Sequence, residues 1–438
     1  MNSSNTTPKP AVRVLHLSTT DGRGGAARAA YRLHDGLKRI GCESRMAVRQ
    51  KTTGDATVEA VLPVAGGARR LQRWWRRHIA RPKDQPDGRP ELFVTDSFTD
   101  DRSARPGEIF GGIDAARILH LHWASSFVDL PSFFDAHVGR SPIVCTLHDM
   151  RMFTGGCHYD YGCGRFRDRC GCCPQLGSAD PGDQSARSLQ RLMRFKSRLQ
   201  QGGVRFVADS RWIEEEAASS ALLAGLPLTT IHYGLDLEVF KPVDPQAARE
   251  ALRLDPNRPV VMFAADGIHI RRKGLDLLLE ALGRLRNRPQ FITAGAGALP
   301  PHLDGIALGA VEQDRLLALA YSAADFFVIP SLQEAFGQTA LEAISCGTPV
   351  LGAATGGIPE VVFPGVSGEL VAEPTPAAWA AAIDALLSQP AKLADLRPRC
   401  RALALERFSL ARQATDYLAI YRECAAECAR LGRPGEHR

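Results

Sequence analysis

The stretch SLQEAFGQTALEAISCGTPVLGAATGGIPEVV, Ser331 to Val362, holds two glutamates, Glu334 and Glu342, separated by seven residues, with Gly337 between them. The apolar run Phe326 to Pro330 precedes it and reads as a buried strand. Gln338 to Cys346 reads as a helix, with Gly347 as its stop and Pro349 just beyond. Taken alone, Glu334 reads as a solvated loop residue and Glu342 as one polar side chain on an apolar helix. The surroundings decide between that reading and a functional one.

Outward from this stretch the chain alternates short apolar runs with helical ones. Val12 to Ser18, Ser44 to Gln50, Ile118 to Trp123, Pro142 to Asp149, Val204 to Ser210 and Thr229 to Tyr233 read as strands. Gln184 to Gln201 and Arg211 to Ala224 read as helices among them. After HYGLDLEVFKP the series restarts with Pro259 to Ala265, Gln290 to Ala294, Gly305 to Ala310, Phe326 to Pro330 and Pro349 to Ala353. Uniformly apolar strands alternating with helices predict parallel sheets covered on both faces. The fold class is therefore α/β, with two doubly wound, Rossmann-like domains facing a cleft. The boundary falls between Ile231 and Pro242. Residues 1–230 form the first domain, with a cysteine-rich loop at 150–180. Residues 231–406 form the second, and a last helix within 407–438 is expected to pack back on the first.

Ligands of such sheets bind beyond the carboxyl ends of the strands. Glu334 falls at that edge, and Glu342 on the helix that follows. The helix start at Phe336, Gly337 and Gln338 offers unpaired backbone N–H groups and a positive dipole, which suit a phosphate. Eight helical residues rise ~12 Å, about the span of an extended nucleoside-diphosphate sugar. One carboxylate can then hold sugar hydroxyls and the other a ribose, with the diphosphate between. At a second junction, GIHIRRKGLDLLLEAL, the cations Arg271, Arg272 and Lys273 stand immediately before Gly274 and a helix. Cations there suit a diphosphate leaving group, whereas alone they read as a solvated basic loop.

Six stretches, GGAARAA, HYGLDLEVF, RKGLDLLLEAL, EAFGQTALEA, CGTPV and GGIPE, together resemble the retaining glycosyltransferases of family 4, in the expected order over nearly the whole chain. The segments LHDM, FTGGCHY and CPQLG are similar to bacterial members that build exopolysaccharides. The resemblance implies the GT-B fold and transfer of a hexose from a nucleoside-diphosphate sugar to a saccharide or lipid-linked acceptor. It implies that Glu334 contacts the donor sugar, Glu342 the ribose and Lys273 the diphosphate. His148 matches a family histidine near the transferred sugar, and the amides of Gly24 and Gly25 are expected to approach the donor. An arginine usual in the family, five residues before the lysine, is Ile268 here, so Arg271 or Arg272 is expected to substitute. Where the family has EGFG, this chain has EAFG, which leaves the Phe336 and Gly337 amides usable. No catalytic metal or other cofactor is expected, because basic residues and a helix end take that place. Two rival readings are a sugar-nucleotide epimerase on a similar fold and a non-catalytic scaffold that kept it.

His120 and His122 share one face of a strand, where acceptor contact and a structural role both fit. The chain has 11 cysteines, of which Cys157, Cys163, Cys170 and Cys173 could make a four-thiolate site for structural zinc. A reduced loop or a redox-formed crosslink are the alternatives. The 438 residues include 45% hydrophobic side chains, an ordinary globular share, and the formal charge of +6 does not argue for nucleic acid. No apolar stretch precedes the first strand and none approaches the ~20 residues of a membrane span. The expected location is cytoplasmic. The segment ARRLQRWWRRHIARPK, Ala68 to Lys83, reads either as a solvated helix or as a basic, aromatic helix for an anionic membrane surface. The latter places the protein peripherally at the inner face of the membrane.

Overall fold

The structure, a computed structural model, describes residues 12–61, 117–125, 127–297 and 303–431. The basic segment Ala68 to Lys83 lies outside the described residues.

The first sheet has seven parallel strands in the order β3-β2-β1-β4-β5-β6-β7. They are β1 (Arg13–Thr20), β2 (Glu43–Gln50), β3 (Val58–Ala60), β4 (Ile118–Leu121), β5 (Ile143–Leu147), β6 (Val204–Ala208) and β7 (Leu228–Thr230). The second has six, in the order β10-β9-β8-β11-β12-β13, also parallel. These are β8 (Val260–Gly267), β9 (Gln290–Ala296), β10 (Gly305–Ala307), β11 (Phe326–Ile329), β12 (Val350–Ala353) and β13 (Gly368–Val371). The central strands β5 and β11 are buried at every position. Covered on both faces, they need no polar alternation, and this is why they read as continuous apolar runs.

Each sheet grows in both directions from its first strand. The strand order reverses between β1 and β4 in one and between β8 and β11 in the other. A ligand crevice opens beyond the carboxyl ends of the strands at such a reversal. The loops after β8 and β11 carry Arg271 to Lys273 and Glu334, so sheet topology brings together two stretches about sixty residues apart in the chain.

Two short strands, β3 and β13, were not apparent in the sequence pattern. Three or four residues are too few to show a period. The helix expected over Gln184 to Gln201 breaks into Gln184–Met193 and Lys196–Gln200. The last helix, Leu410–Leu431, leaves the second domain and buries Ala414, Tyr417, Tyr421 and Cys424 with Val14, Leu37, Ile118 and Val144 of the first. Among the described residues no helix is long and apolar enough to cross a membrane.

Candidate functional site

At the edge of the second sheet, the chain after β8 makes one 3-10 turn, Arg271–Lys273, closed by Gly274 with φ 73°. A Cβ on Gly274 would stand 2.1 Å from the Pro330 carbonyl oxygen, so only glycine lets this turn approach the loop after β11. That approach delivers two cations to one carboxylate. Lys273 Nζ donates to Glu334 Oε2 at 2.6 Å, and Arg272 Nη1 donates to the same oxygen at 3.3 Å. Ser331 Oγ donates to it at 3.2 Å. Burial by itself raises the Glu334 pKa, but Lys273 and Arg272 outweigh it and carry the carboxyl down to about 2. Burial pushes the Lys273 ammonium below its ordinary value, against the pull of Glu334. The Arg272 guanidinium also lies 4.1 Å from the ring centroid of Tyr159, which belongs to the cysteine-rich loop of the first domain.

Of the three cations, Arg272 and Lys273 therefore converge on Glu334. Arg271 is exposed and stands apart. Ile268, at the usual arginine position, is fully buried in the sheet core.

Glu342 lies on α9 (Gln338–Ser345), counting helices in chain order from α1 (Gly25–Arg39). The start of α9 is Gly337, at φ 96°, with no side-chain cap on its first N–H groups. Phe336 before it is buried with its ring edge-on to Tyr233 at 5.2 Å. Glu342 accepts from Tyr321 Oη at 3.0 Å and from Arg32 Nη2 at 2.9 Å. Arg32 comes from α1, across the cleft, and reaches Asp314 at 3.1 Å as well. One turn earlier, Arg28 donates to the Val311 carbonyl at 2.5 Å. Gln338 Nε2 donates to the Gly25 carbonyl at 3.0 Å, so the glycine turn faces the start of α9. Beside it, Gly24 has φ 89°.

On the first-domain side, His148 follows β5. Its Nε2 lies 3.0 Å from His122 Nδ1 and its Nδ1 2.5 Å from Tyr233 Oη. Both ring nitrogens are thus engaged inside the protein. Burial takes its pKa down to about 3. His148 and His122 line a small cavity with Trp123, Ser125, Asp149 and Arg151. For His120 the structural role holds, not acceptor contact. It is fully buried, with Nδ1 2.7 Å from Tyr421 Oη and Nε2 2.7 Å from Thr146 Oγ1. Neither nitrogen is left for an acceptor, because the last helix covers this face of the strand. His122, also buried, contributes to the hydrogen bonding behind His148.

Cys157, Cys163, Cys170 and Cys173 line one cavity, and all are free thiols. Burial pushes Cys170 up to about 11 and Cys157 higher still. Among the described residues the set that brings three metal-type ligand atoms within 4.8 Å of one another is His16, His120 and His122, so the four sulfurs are spread wider than one ion's ligand sphere.

Sequence reasoning passed over Arg28, Arg32, Asp314, Tyr159 and Tyr233. The available signal was the i, i+4 spacing of Arg28 and Arg32 on the helix that the glycine turn begins.

Residues 258–389 match the family described as glycosyl transferases group 1. The chain is 39% identical over 217 residues to the D-inositol 3-phosphate glycosyltransferase of Mycobacterium marinum, covering 46% of each chain. It thus spans about half the length of the curated relatives it matches. Among solved structures it is similar to sucrose-phosphate synthase of Thermosynechococcus elongatus, with TM-score 0.64, 20% identity and coverage of 94% of this chain and 99% of that one. Anabaena Alr3699/HepE in complex with UDP and glucose gives TM-score 0.65 at 17% identity, again over 94% and 99%. The chain has the GT-B fold, and the region that carries Lys273, Glu334 and Glu342 matches glycosyl transferases group 1.

Proposed function

We propose that this protein is a retaining glycosyltransferase that moves a hexose from a nucleoside-diphosphate sugar to a saccharide acceptor, lipid-linked, in polysaccharide biosynthesis. The observation that carries the reading is Glu334 held between Lys273 and Arg272 at the strand-order reversal, with Glu342 one helix away. A carboxylate kept ionised by two cations accepts hydrogen bonds from sugar hydroxyls. The same cations and the start of α9, with Phe336, Gly337 and Gln338, lie where charge on a departing diphosphate develops. Glu342 takes the ribose, sharing its carboxylate with Arg32 or displacing it. No carboxylate is assigned as a covalent nucleophile. The acceptor attacks the face that the diphosphate leaves, and the departing phosphate helps to take the acceptor proton. The protein contributes positioning and stabilisation of charge.

A second acceptor class comes from the named relatives, which by their names act on D-inositol 3-phosphate. The test is a panel of nucleoside-diphosphate sugars, with released nucleoside diphosphate as the readout. It is run without acceptor, with a lipid-linked saccharide and with an inositol phosphate, and the anomeric configuration of the product is read by NMR. Release that depends on the lipid-linked saccharide supports the proposal. Release that depends on the inositol phosphate moves the acceptor assignment, and inversion removes the retaining one. Isomerised sugar without acceptor would favour an epimerase. The segment Ala68 to Lys83 is proposed to bring the enzyme to an anionic membrane. Vesicle sedimentation should show binding that rises with anionic lipid and falls with salt. No binding at low salt would remove the membrane partner.

A further inference from the structure

A string of hydrogen bonds runs through the first domain from the edge of its sheet to the cleft. Thr57 Oγ1 donates to Asp55 Oδ1 at 2.6 Å, and Thr57 Oγ1 also lies 2.8 Å from His34 Nε2. His34 Nδ1 is 2.7 Å from Ser44 Oγ, which is 3.0 Å from His16 Nε2. His16 Nδ1 is 2.8 Å from His122 Nε2, and His122 Nδ1 is 3.0 Å from His148 Nε2. His148 Nδ1 ends the string 2.5 Å from Tyr233 Oη.

The chemistry of one end orders every proton along it. The Asp55 carboxylate only accepts. Lys38 Nζ, which has no lone pair, donates to Thr57 Oγ1 at 3.2 Å. The single Thr57 hydroxyl proton therefore goes to Asp55, and His34 Nε2–H donates to the Thr57 oxygen. Burial holds His34 at about 4, and His16 and His122 well below the ordinary range, so each ring is neutral near pH 7 and carries one proton. With its proton on Nε2, His34 accepts from Ser44. Ser44, its proton spent, accepts from His16 Nε2–H. By the same step His16 accepts from His122, His122 from His148, and His148 Nδ1 from the Tyr233 hydroxyl.

We infer that Asp55, Thr57, His34, Ser44, His16 and His122 are positioning residues that hold His148 in its Nε2–H tautomer and turn the Tyr233 hydroxyl proton away from the cleft. Tyr233 then meets a ligand only as an acceptor, and the ligand group that fits is one that donates, such as a sugar hydroxyl. The Tyr233 ring abuts Phe336 at the start of α9, and both residues are buried. Asp209, fully buried beside the Tyr233 hydroxyl, is the other group within reach of that proton; neither of its oxygens meets hydrogen-bond geometry and burial pushes its carboxyl well above the ordinary range, whereas His148 Nδ1 lies 2.5 Å away. The inference about the ligand rests on the glycosyl-transfer reading of the cleft; the proton order does not.

A metal ion is the competing account, because nitrogens of His16, His120 and His122 lie within 4.8 Å of one another. Both ring nitrogens of each of the three already have protein partners, which an ion would have to displace.

The test is imidazole 15N NMR of the full chain at neutral pH. The expected spectrum has His16, His34, His122 and His148 neutral with the proton on Nε2. Couplings should appear across the two N–H···N bonds that join His16, His122 and His148. A proton on Nδ1 of His122 or His148, or an imidazolium at either, overturns the assignment. Visible cobalt absorption that disappears in His16→Gln overturns it in favour of a metal site. In Ser44→Ala the string is cut far from the cleft. His122 and His148 should then become tautomer mixtures, and kcat should fall about tenfold with the donor KM within about twofold. Unchanged His148 signals, or unchanged kcat, would overturn the action through the string. If no donor turns over in the unmodified chain, the function proposed above falls while the tautomers still decide this inference.

Discussion

Arg32, on the first helix of the first domain, donates to the Glu342 carboxylate of the second domain at 2.9 Å, and the two side chains are 11% and 6% exposed. A carboxylate proposed to bind ribose is thus occupied, across the cleft, by a guanidinium. Domain contact and donor binding share one group.

Glu342→Ala should therefore lower both stability and nucleotide affinity. Complete loss of a buried partner costs about 3–5 kcal/mol; Asp314 still holds Arg32, so about 2 kcal/mol is expected. Glu342→Gln keeps a hydrogen-bond acceptor for Arg32 and should lose affinity with a smaller stability change. Urea unfolding and calorimetry with the nucleoside diphosphate read the two effects separately. Unchanged affinity in folded Glu342→Ala would sink the ribose assignment.

Glu334 gives the protein an acid-sensitive contact. Its folded pKa of about 2 lies below the ordinary 4.5. The carboxylate therefore stabilises the fold fully above about pH 4.5, and this contribution is lost as pH falls toward 2. Glu334→Gln should flatten the acid limb of the stability curve, measured by urea unfolding at pH 5, 4 and 3. Turnover should fall far more than affinity for the free nucleoside diphosphate, which lacks the sugar. A parallel loss of both would contradict the separate roles of the two glutamates.

Two glycines beside the site should differ sharply on substitution by alanine. Gly337 has φ 96°, but its added Cβ meets Ile329, Ile358 and Ala340 at ordinary contact distances of 3.5, 3.6 and 3.8 Å, so the cost is backbone strain of about 1–2 kcal/mol. Gly356, at φ 56°, would drive a Cβ to 1.9 Å from the Glu334 carbonyl oxygen. That displaces the loop carrying Glu334. Gly356→Ala should lose activity and more stability than Gly337→Ala, as thermal midpoints and turnover will show. Equal effects would mean that the loop after β11 is not held against Gly356.

For the loop of Cys157, Cys163, Cys170 and Cys173 we propose one structural zinc, with the four sulfurs drawing in around the cavity they line. Metal analysis of protein purified without added zinc should find about one equivalent, and Cys170→Ser should lower both metal content and thermal midpoint. Less than about half an equivalent, with every thiol free to titrate, would leave a reduced loop instead.

The sequence by itself determined the two-sheet architecture, because parallel strands buried on both faces need apolar runs such as Val260 to Ala265 and Phe326–Ile329, and such runs are local. It also placed Glu334 and Lys273 at strand-to-helix junctions and Glu342 on the helix that follows, since such a junction is visible from a few neighbouring residues. Which cation meets Glu334 was decided by the tertiary structure. Arg271, Arg272 and Lys273 are equivalent in a sequence, and only the turn at Gly274 sends two of them inward and one to solvent. The burial of His120 followed from a helix that returns from the chain's end to cover β4, through Tyr421, 301 residues away. Arg32 and Glu342 are 310 residues apart. Periodicity and turn chemistry act over a few residues, whereas these partnerships exist only once two domains have closed a cleft between them.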